Sequence, residues 1–226
     1  MKLGVLFSGG KDSTFACYKA MEKEEVVCLI TLISKNPESF MFHTPNIHLT
    51  EVQAETIELP LVAVETEGKK EEELKDLKKA IEKAKEKYGI EGVVTGAVQS
   101  VYQSSRIKKI CDELNLNCVN PLWQVDQIEY MNEFISSGFK AIISGVFSQP
   151  FDESWLGKLM DKKTLEELLE ISKKFGVTLT GEGGEFETFV FDGPIFKKRI
   201  EILKASKICK NYNGIYKIEK FRLIDK

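Results

Sequence analysis

The run Ser8-Gly9-Gly10-Lys11-Asp12-Ser13 constrains this chain most, because it joins a short apolar stretch to a helix start through two adjacent glycines. Leu3 to Phe7 is apolar, brief and ended by a turn, the pattern of a strand buried on both faces of a parallel sheet. Gly9 and Gly10 lack Cβ atoms, so the backbone can take positive φ there and bring its N–H groups close to an anion. Ser13 or Asp12 is expected to cap the helix carrying Phe15, Ala16, Tyr18 and Ala20. A helix N-terminus holds roughly half a positive charge, which suits a phosphate.

Two common phosphate loops do not fit. Counting from Gly4, Gly9 stands in register for a Walker A loop, but Gly10 occupies the place of its lysine. The dinucleotide fingerprint G-x-G-x-x-G is absent as well. What stands after the first strand resembles the PP-loop of the ATP pyrophosphatases, which cleave ATP to AMP and pyrophosphate. A ligand-free turn is the plainer alternative, yet two glycines, two hydroxyls, a lysine and an aspartate exceed what a turn requires.

Further along, apolar runs at Val26–Ile33, Leu61–Val64, Gly92–Val98 and Asn117–Val119 alternate with helical periodicity at 47–58, 69–88 and from Ile107 onward. Strand, glycine turn, helix and strand form a βαβ unit, so five parallel strands with right-handed crossovers are expected in residues 1–122. Ligands of such sheets lie beyond the carboxyl ends of the strands, which places the loops after the first two strands at one site. The helix from residue 69 has Leu74, Leu77, Ile81 and Ala84 as its buried stripe. Of the two histidines, His43 follows the second strand and is a functional candidate or a surface residue, whereas His48 reads as structural.

The periodicity changes near Trp123. Residues 123–226 read as a second, smaller α+β domain: a helix from Asp126 with Ile128, Met131, Phe134 and Ile135 inward, a strand over Phe139–Val146, and a helix over Thr164–Phe175. Alternating strands follow, joined by Gly-Pro and Asn-Gly turns. Between the last helix and those strands lies Glu182-Gly-Gly-Glu-Phe-Glu187. In a strand Glu185 and Glu187 share a face, and clustered carboxylates ask for something positive among them; the plain alternative is an exposed turn with solvated acids.

Lysine plus arginine number 32 against 35 aspartate plus glutamate, a net charge of −3. A chiefly electrostatic nucleic-acid binder carries a basic excess, so tRNA is disfavoured as the main partner. The five cysteines form no C-x-x-C pair, which supports neither a zinc site nor a disulfide framework. No apolar run nears the ~20 residues of a bilayer span, so no membrane association and a cytoplasmic location are expected.

The PP-loop, the segment Gly96-Ala-Val-Gln-Ser-Val-Tyr-Gln-Ser-Ser-Arg106, the stop Pro121-Leu-Trp123, and Gly181-Glu-Gly-Gly-Glu-Phe-Glu-Thr188 with Asp192-Gly-Pro194 together resemble the diphthine-ammonia ligase family. These are PP-loop ATP pyrophosphatases that complete diphthamide on translation elongation factor 2. The resemblance covers nearly the whole chain, with one departure: the family commonly has Asn-Pro-x-Gly where this chain has Thr178-Leu-Thr-Gly181. Longer eukaryotic relatives carry extra C-terminal domains, so here the ligase core is expected to act alone.

The resemblance implies a HUP/PP-loop-type nucleotide-binding sheet, ATP and Mg²⁺ as cofactors, and elongation factor 2 bearing diphthine plus ammonium as partners, with homo-oligomerisation left open. Lys11, Asp12 and Glu185 would be catalytic, and Asp12 would bind the metal. ATP would be held by Ser8, Gly9, Gly10, Lys11, Asp12 and Ser13, with adenine near Leu32 and Gly96. Arg106 would meet the α-phosphate or pair with a surface carboxylate. His43, Tyr102, Glu182, Gly183, Gly184, Glu185 and Glu187 would serve the substrate. Its trimethylammonium group suits an aromatic wall of Tyr102, Trp123 and Trp155, with core packing as the tryptophans' alternative. The other readings are a PP-loop tRNA-modifying enzyme, by thiolation or lysine transfer, and a non-catalytic nucleotide sensor.

Overall fold

Parallel strands must be buried on both faces and linked by crossovers, and residues 1–123 meet both demands. The computed structural model describes residues 1–35, 45–68 and 72–226. The first unit runs β1 (Lys2–Leu6), α1 (Lys11–Met21), β2 (Glu25–Ser34), α2 (Thr50–Ile57), β3 (Leu61–Thr66), α3 (Glu72–Tyr88), β4 (Gly92–Val94), α4 (Val101–Glu113) and β5 (Asn117–Val119). Its sheet has the order β3-β2-β1-β4-β5 and is parallel throughout, as expected. Val5 faces Leu29 on one side and Val94 on the other. The chain therefore winds outward from β1 to β3, then returns to place β4 against the free side of β1. That reversal makes the carboxyl end of β1 a topological switch point, where crossovers diverge and leave a crevice.

Leu3, Val5, Leu29, Val93 and Val94 are fully enclosed, and α3 covers one face with Leu77, Ala80, Ile81 and Ala84. Burying each large aliphatic side chain contributes about 1.5–3 kcal/mol. Leu74 is only partly buried, and Glu73 and Ala80 share the stripe instead. Three boundaries differ from expectation. The fourth strand stops at Val94, and α4 starts at Val101 because Ser100 Oγ accepts the Gln103 N–H at 3.4 Å. The segment 47–58 becomes a 3₁₀ turn, Ile47–Leu49, followed by α2, which buries the polar side chains Thr50, Gln53 and Thr56.

The second unit begins at Gln124 and also takes in Asn46. It comprises α5 (Gln127–Ser136), β6 (Lys140–Val146), a 3₁₀ turn at Glu153–Trp155, α6 (Lys162–Phe175), β7 (Phe186–Asp192), β8 (Lys198–Lys210) and β9 (Asn213–Asp225). The antiparallel order is β7-β6-β9-β8, so an α+β unit accompanies the α/β unit as expected. Asp126 and Asp161 cap the two helices through backbone N–H groups of Ile128, Glu129 and Thr164. Ile128 is exposed, and Tyr130 joins Met131 and Phe134 in the core. Asn46 completes β9 by donating to Tyr216 O and accepting from Ile218 N–H, both at 2.9 Å.

The β8–β9 turn corrects the expected Asn-Gly turn at Asn213-Gly214. Lys210 pairs with Asn213, so the two turn residues are Asn211 and Tyr212, at φ 49° and 62°. Positive φ at both centres is the type I′ pattern that favours glycine second. Tyr212 is 40 % exposed and loses little packing when truncated. Replacing Tyr212 by Gly is expected to stabilise the protein by about 0.5–1 kcal/mol, the relieved strain outweighing the added chain entropy. Thermal unfolding would then shift upward by roughly 1–4 °C; an unchanged or lower midpoint contradicts the turn assignment.

Candidate functional site

The loop leaving β1 is held from three directions, all within the first unit. Thr31 Oγ1 on β2 donates to Phe7 O at 2.6 Å and fixes the end of β1. Gln53 on α2 is fully buried and donates through Nε2 to Gly9 O at 2.9 Å. Gly96, beyond β4, comes so close that a Cβ there would lie 2.8 Å from Asp12 C and Ser13 N. Gly96 is thus a glycine because the backbone beyond β4 abuts the first turn of α1, whereas the expected reason was a ligand.

Gly9 takes φ 77°, and Gly10 is the N-cap of α1 with no side-chain cap bond. The expected cap by Asp12 or Ser13 is therefore incorrect: both lie within the first helical turn. Ser13 Oγ turns back instead, donating to Gly10 O at 3.2 Å and accepting the Ser8 N–H at 3.2 Å. Ser8 and Ser13 hydroxyls are 3.1 Å apart. This inner ring closes the loop, and Ser8 Oγ also accepts the N–H of the N-cap residue Gly10 at 3.4 Å. Lys11 is 1 % exposed, and its Nζ lies 3.1 and 3.0 Å from the two Asp12 carboxylate oxygens. One cation, one carboxylate and a helix N-terminus at a switch point fit an anion that brings a cation with it.

The other residues expected at the nucleotide divide. Leu32 is 4 % exposed within the core that includes Ile30 and Val62, so its side chain packs inward and is not available to line an adenine pocket. Tyr102 and Arg106 sit one turn apart on α4, with the guanidinium carbon 3.4 Å from the ring centroid. Arg106 stacks on Tyr102 and donates to Tyr102 O at 3.4 Å. One face of Tyr102 is accordingly taken by an internal cation. His43 lies outside the described residues.

In the second unit, the glycine-rich acidic segment is organised around one of its own carboxylates. Glu185 is 8 % exposed; its Oε1 accepts the Thr178 N–H at 2.7 Å and its Oε2 the Thr178 hydroxyl at 3.0 Å. That hydroxyl accepts the Gly183 N–H at 3.4 Å, and a Cβ on Gly183 would lie 2.6 Å from Glu185 Oε1. Glu185 precedes β7 and has both oxygens engaged, so the free acid expected beside Glu187 is not present. Glu182, Glu187 and Gly184 stand on the same segment, the two acids half-buried. Among the described residues no cluster of three or more His, Cys, Asp or Glu side chains is gathered for a metal ion. Trp155 is 7 % exposed against Phe151, with Lys158 Nζ 4.3 Å from its ring centroid. It is a core residue rather than part of an open aromatic wall, and Trp123 is half-buried.

Gln53 and Thr178 are the two residues that sequence reading missed. For Gln53 the available signal was a glutamine on the inward face of an amphipathic helix; for Thr178 it was the departure from Asn-Pro-x-Gly. The cysteines are free thiols, and burial pushes Cys17 and Cys28 up to about 12. Cys111 is pushed up by its hydrogen bond to Cys118 and by burial, a pairing between α4 and β5 that the spacing did not reveal. It belongs to the core with Ile90 and Val93, an environment for packing.

Two family models match the chain: the diphthamide synthase N-terminal domain over residues 1–118 and the diphthamide synthase C-terminal domain over 126–224. Diphthine–ammonia ligase of Mus musculus is 35% identical over 246 residues, covering 99% of this chain and 91% of that protein. The protein of the same name from Homo sapiens is 36% identical over 231 residues, with 92% and 85% coverage. That of Schizosaccharomyces pombe is 33% identical over 95% of this chain, which spans 38% of its length. Among solved structures, a predicted subunit of tRNA methyltransferase from Methanocaldococcus jannaschii aligns at TM-score 0.47 and 19% identity, over 86% of this chain and 100% of that one.

The carboxylate of Glu185 yields a direct test. Glu185→Ala strands the half-buried Thr178 N–H and is expected to destabilise the protein by about 1–2 kcal/mol in urea unfolding. Glu185→Gln keeps an acceptor for that N–H and is expected to change stability by less than about 0.5 kcal/mol. Equal losses from both variants would mean that the charge itself, and not loop closure, is what the fold requires.

Proposed function

The chain belongs to the diphthamide synthase family, and we propose that it is a diphthine–ammonia ligase, joining ammonia to the diphthine carboxylate of elongation factor 2 with conversion of ATP to AMP and pyrophosphate. The observation that carries this reading is the match of both family domains along the chain, with relatives of that name at 35% and 36% identity. The loop supports it independently, since a helix N-terminus with a glycine N-cap at a switch point, closed by Ser8 and Ser13 and flanked by Lys11, is suited to phosphate.

A carboxylate is inert to ammonia until one of its oxygens becomes a leaving group, and ATP supplies that by transferring AMP and releasing pyrophosphate. The chain's task is then to hold the phosphates while charge moves onto the departing pyrophosphate. Backbone N–H groups of the loop and the Lys11 ammonium stabilise that charge. Asp12 offers one carboxylate, which fits a Mg²⁺ that arrives on phosphate oxygens and needs a single protein ligand. Arg106, kept rigid by its stacking on Tyr102, is the remaining candidate cation for a phosphate. Glu182 and Glu187 are the acids assigned to the substrate's trimethylammonium group or to ammonium; Glu185 is assigned to holding their segment in shape.

The test is product formation. AMP and pyrophosphate are expected only when elongation factor 2 bearing diphthine and ammonium are supplied together. Lys11→Met is expected to lower the rate about 10²–10³-fold. Equal AMP formation with tRNA and no elongation factor would overturn the reading, and so would ATP binding with no AMP from the complete mixture.

A further inference from the structure

We propose that Gln53 is a positioning residue that latches the Gly9–Gly10 peptide in its phosphate-binding orientation; this rests on the reading of the Ser8–Ser13 loop as the site for the phosphates of ATP. Helix α2 buries Thr50, Gln53 and Thr56 at 1 %, 0 % and 0 % exposure. The two threonines bond within their own segment, to Ile47 O and Gln53 O, both at 2.7 Å, as threonines in helices commonly do. Gln53 instead reaches out of its helix to Gly9 O, 44 residues away in sequence. An aliphatic side chain fills an inward position without a polar group to satisfy, so packing alone does not call for a carboxamide there.

The peptide that Gln53 holds has glycine on both sides. Such a peptide turns over with little steric resistance, since no Cβ opposes it. In a trans peptide the C=O and the following N–H point in opposite directions. With Gly9 O bound to Gln53, the Gly10 N–H points away from Gln53 and donates to Ser8 Oγ at 3.4 Å, on the side of the loop where the phosphates are placed. A flipped peptide would present the Gly9 carbonyl oxygen on that side, and a carbonyl repels phosphate where an N–H attracts it. Gln53 also excludes any side chain at Gly9: a Cβ there would lie 2.1 Å from Gln53 Oε1. The glycine and the glutamine therefore fit as a pair.

Pyrophosphate binding, measured by calorimetry on the whole protein, tests the latch. Gln53→Leu removes the donor at similar length and is expected to weaken pyrophosphate binding about tenfold. Gln53→Glu keeps the shape but accepts rather than donates, and is expected to weaken it further by favouring the flipped peptide. For AMP formation, both variants are expected to raise KM for ATP more than they lower kcat. A role in packing alone would lower the unfolding midpoint and leave the affinity of the folded variants unchanged; that outcome overturns the proposal. Failure of the wild-type protein to bind either pyrophosphate or ATP overturns the reading of the loop and the latch with it, whereas wild-type binding with equal affinity in the variants overturns the latch alone. Should neither variant fold, the Gln53 side-chain amide resonances of the wild-type protein decide: a shift on pyrophosphate addition is expected, and no shift counts against the latch.

Discussion

Parallel pairing of β1 on both its edges is the constraint on which the first unit depends. With β2 on one side and β4 on the other, β1 is central and buried over Leu3–Val5, and the two crossovers that flank it leave in opposite directions. The loop at its carboxyl end therefore lies at the switch point, the place where sheets of this kind bind ligands beyond the strand ends. Beside its own Ser8–Ser13 ring, the loop is shaped by Thr31 from β2, Gln53 from α2 and Gly96 from the connection after β4. Rigid elements thus set a flexible, glycine-rich sequence, the arrangement that precise positioning of phosphates demands.

Legibility in the sequence followed the physics of each residue. The strands around the loop were readable because apolar runs bounded by glycine admit few other structures, and the loop itself because its residue types are unusual together. Gln53 was hidden since its partner, Gly9 O, is a backbone atom remote in sequence, and a glutamine on a helix ordinarily points to solvent. Leu32 misled for the converse reason: position at a strand's end does not say which face a side chain takes, and this one faces the core. Tyr102 and Arg106 were read as loop residues, and only the helix start at Val101 brings them within stacking distance.

The second unit shows how an acidic motif misleads when composition is taken for chemistry. Glu182-Gly-Gly-Glu-Phe-Glu187 suggests three free carboxylates around a cation, yet the most buried of them, Glu185, spends both oxygens on Thr178. A buried carboxylate needs donors, and a backbone N–H with a hydroxyl supplies them more simply than a ligand would. Gly183 follows from the same contact, since a side chain there would collide with Glu185, whereas Gly184 meets its φ of 80°. The motif is therefore a folded loop first, with Glu182 and Glu187 half-buried along it.

The central claim is that the diphthine carboxylate is activated by adenylation in this protein. Oxygen transfer tests it most directly. With elongation factor 2 carrying ¹⁸O in both oxygens of the diphthine carboxylate, supplied with ATP and ammonium, mass spectrometry of the AMP produced reads the fate of the label. The account predicts one ¹⁸O atom in each AMP and one retained in the amide. Unlabelled AMP, or label found in pyrophosphate or phosphate, would contradict it.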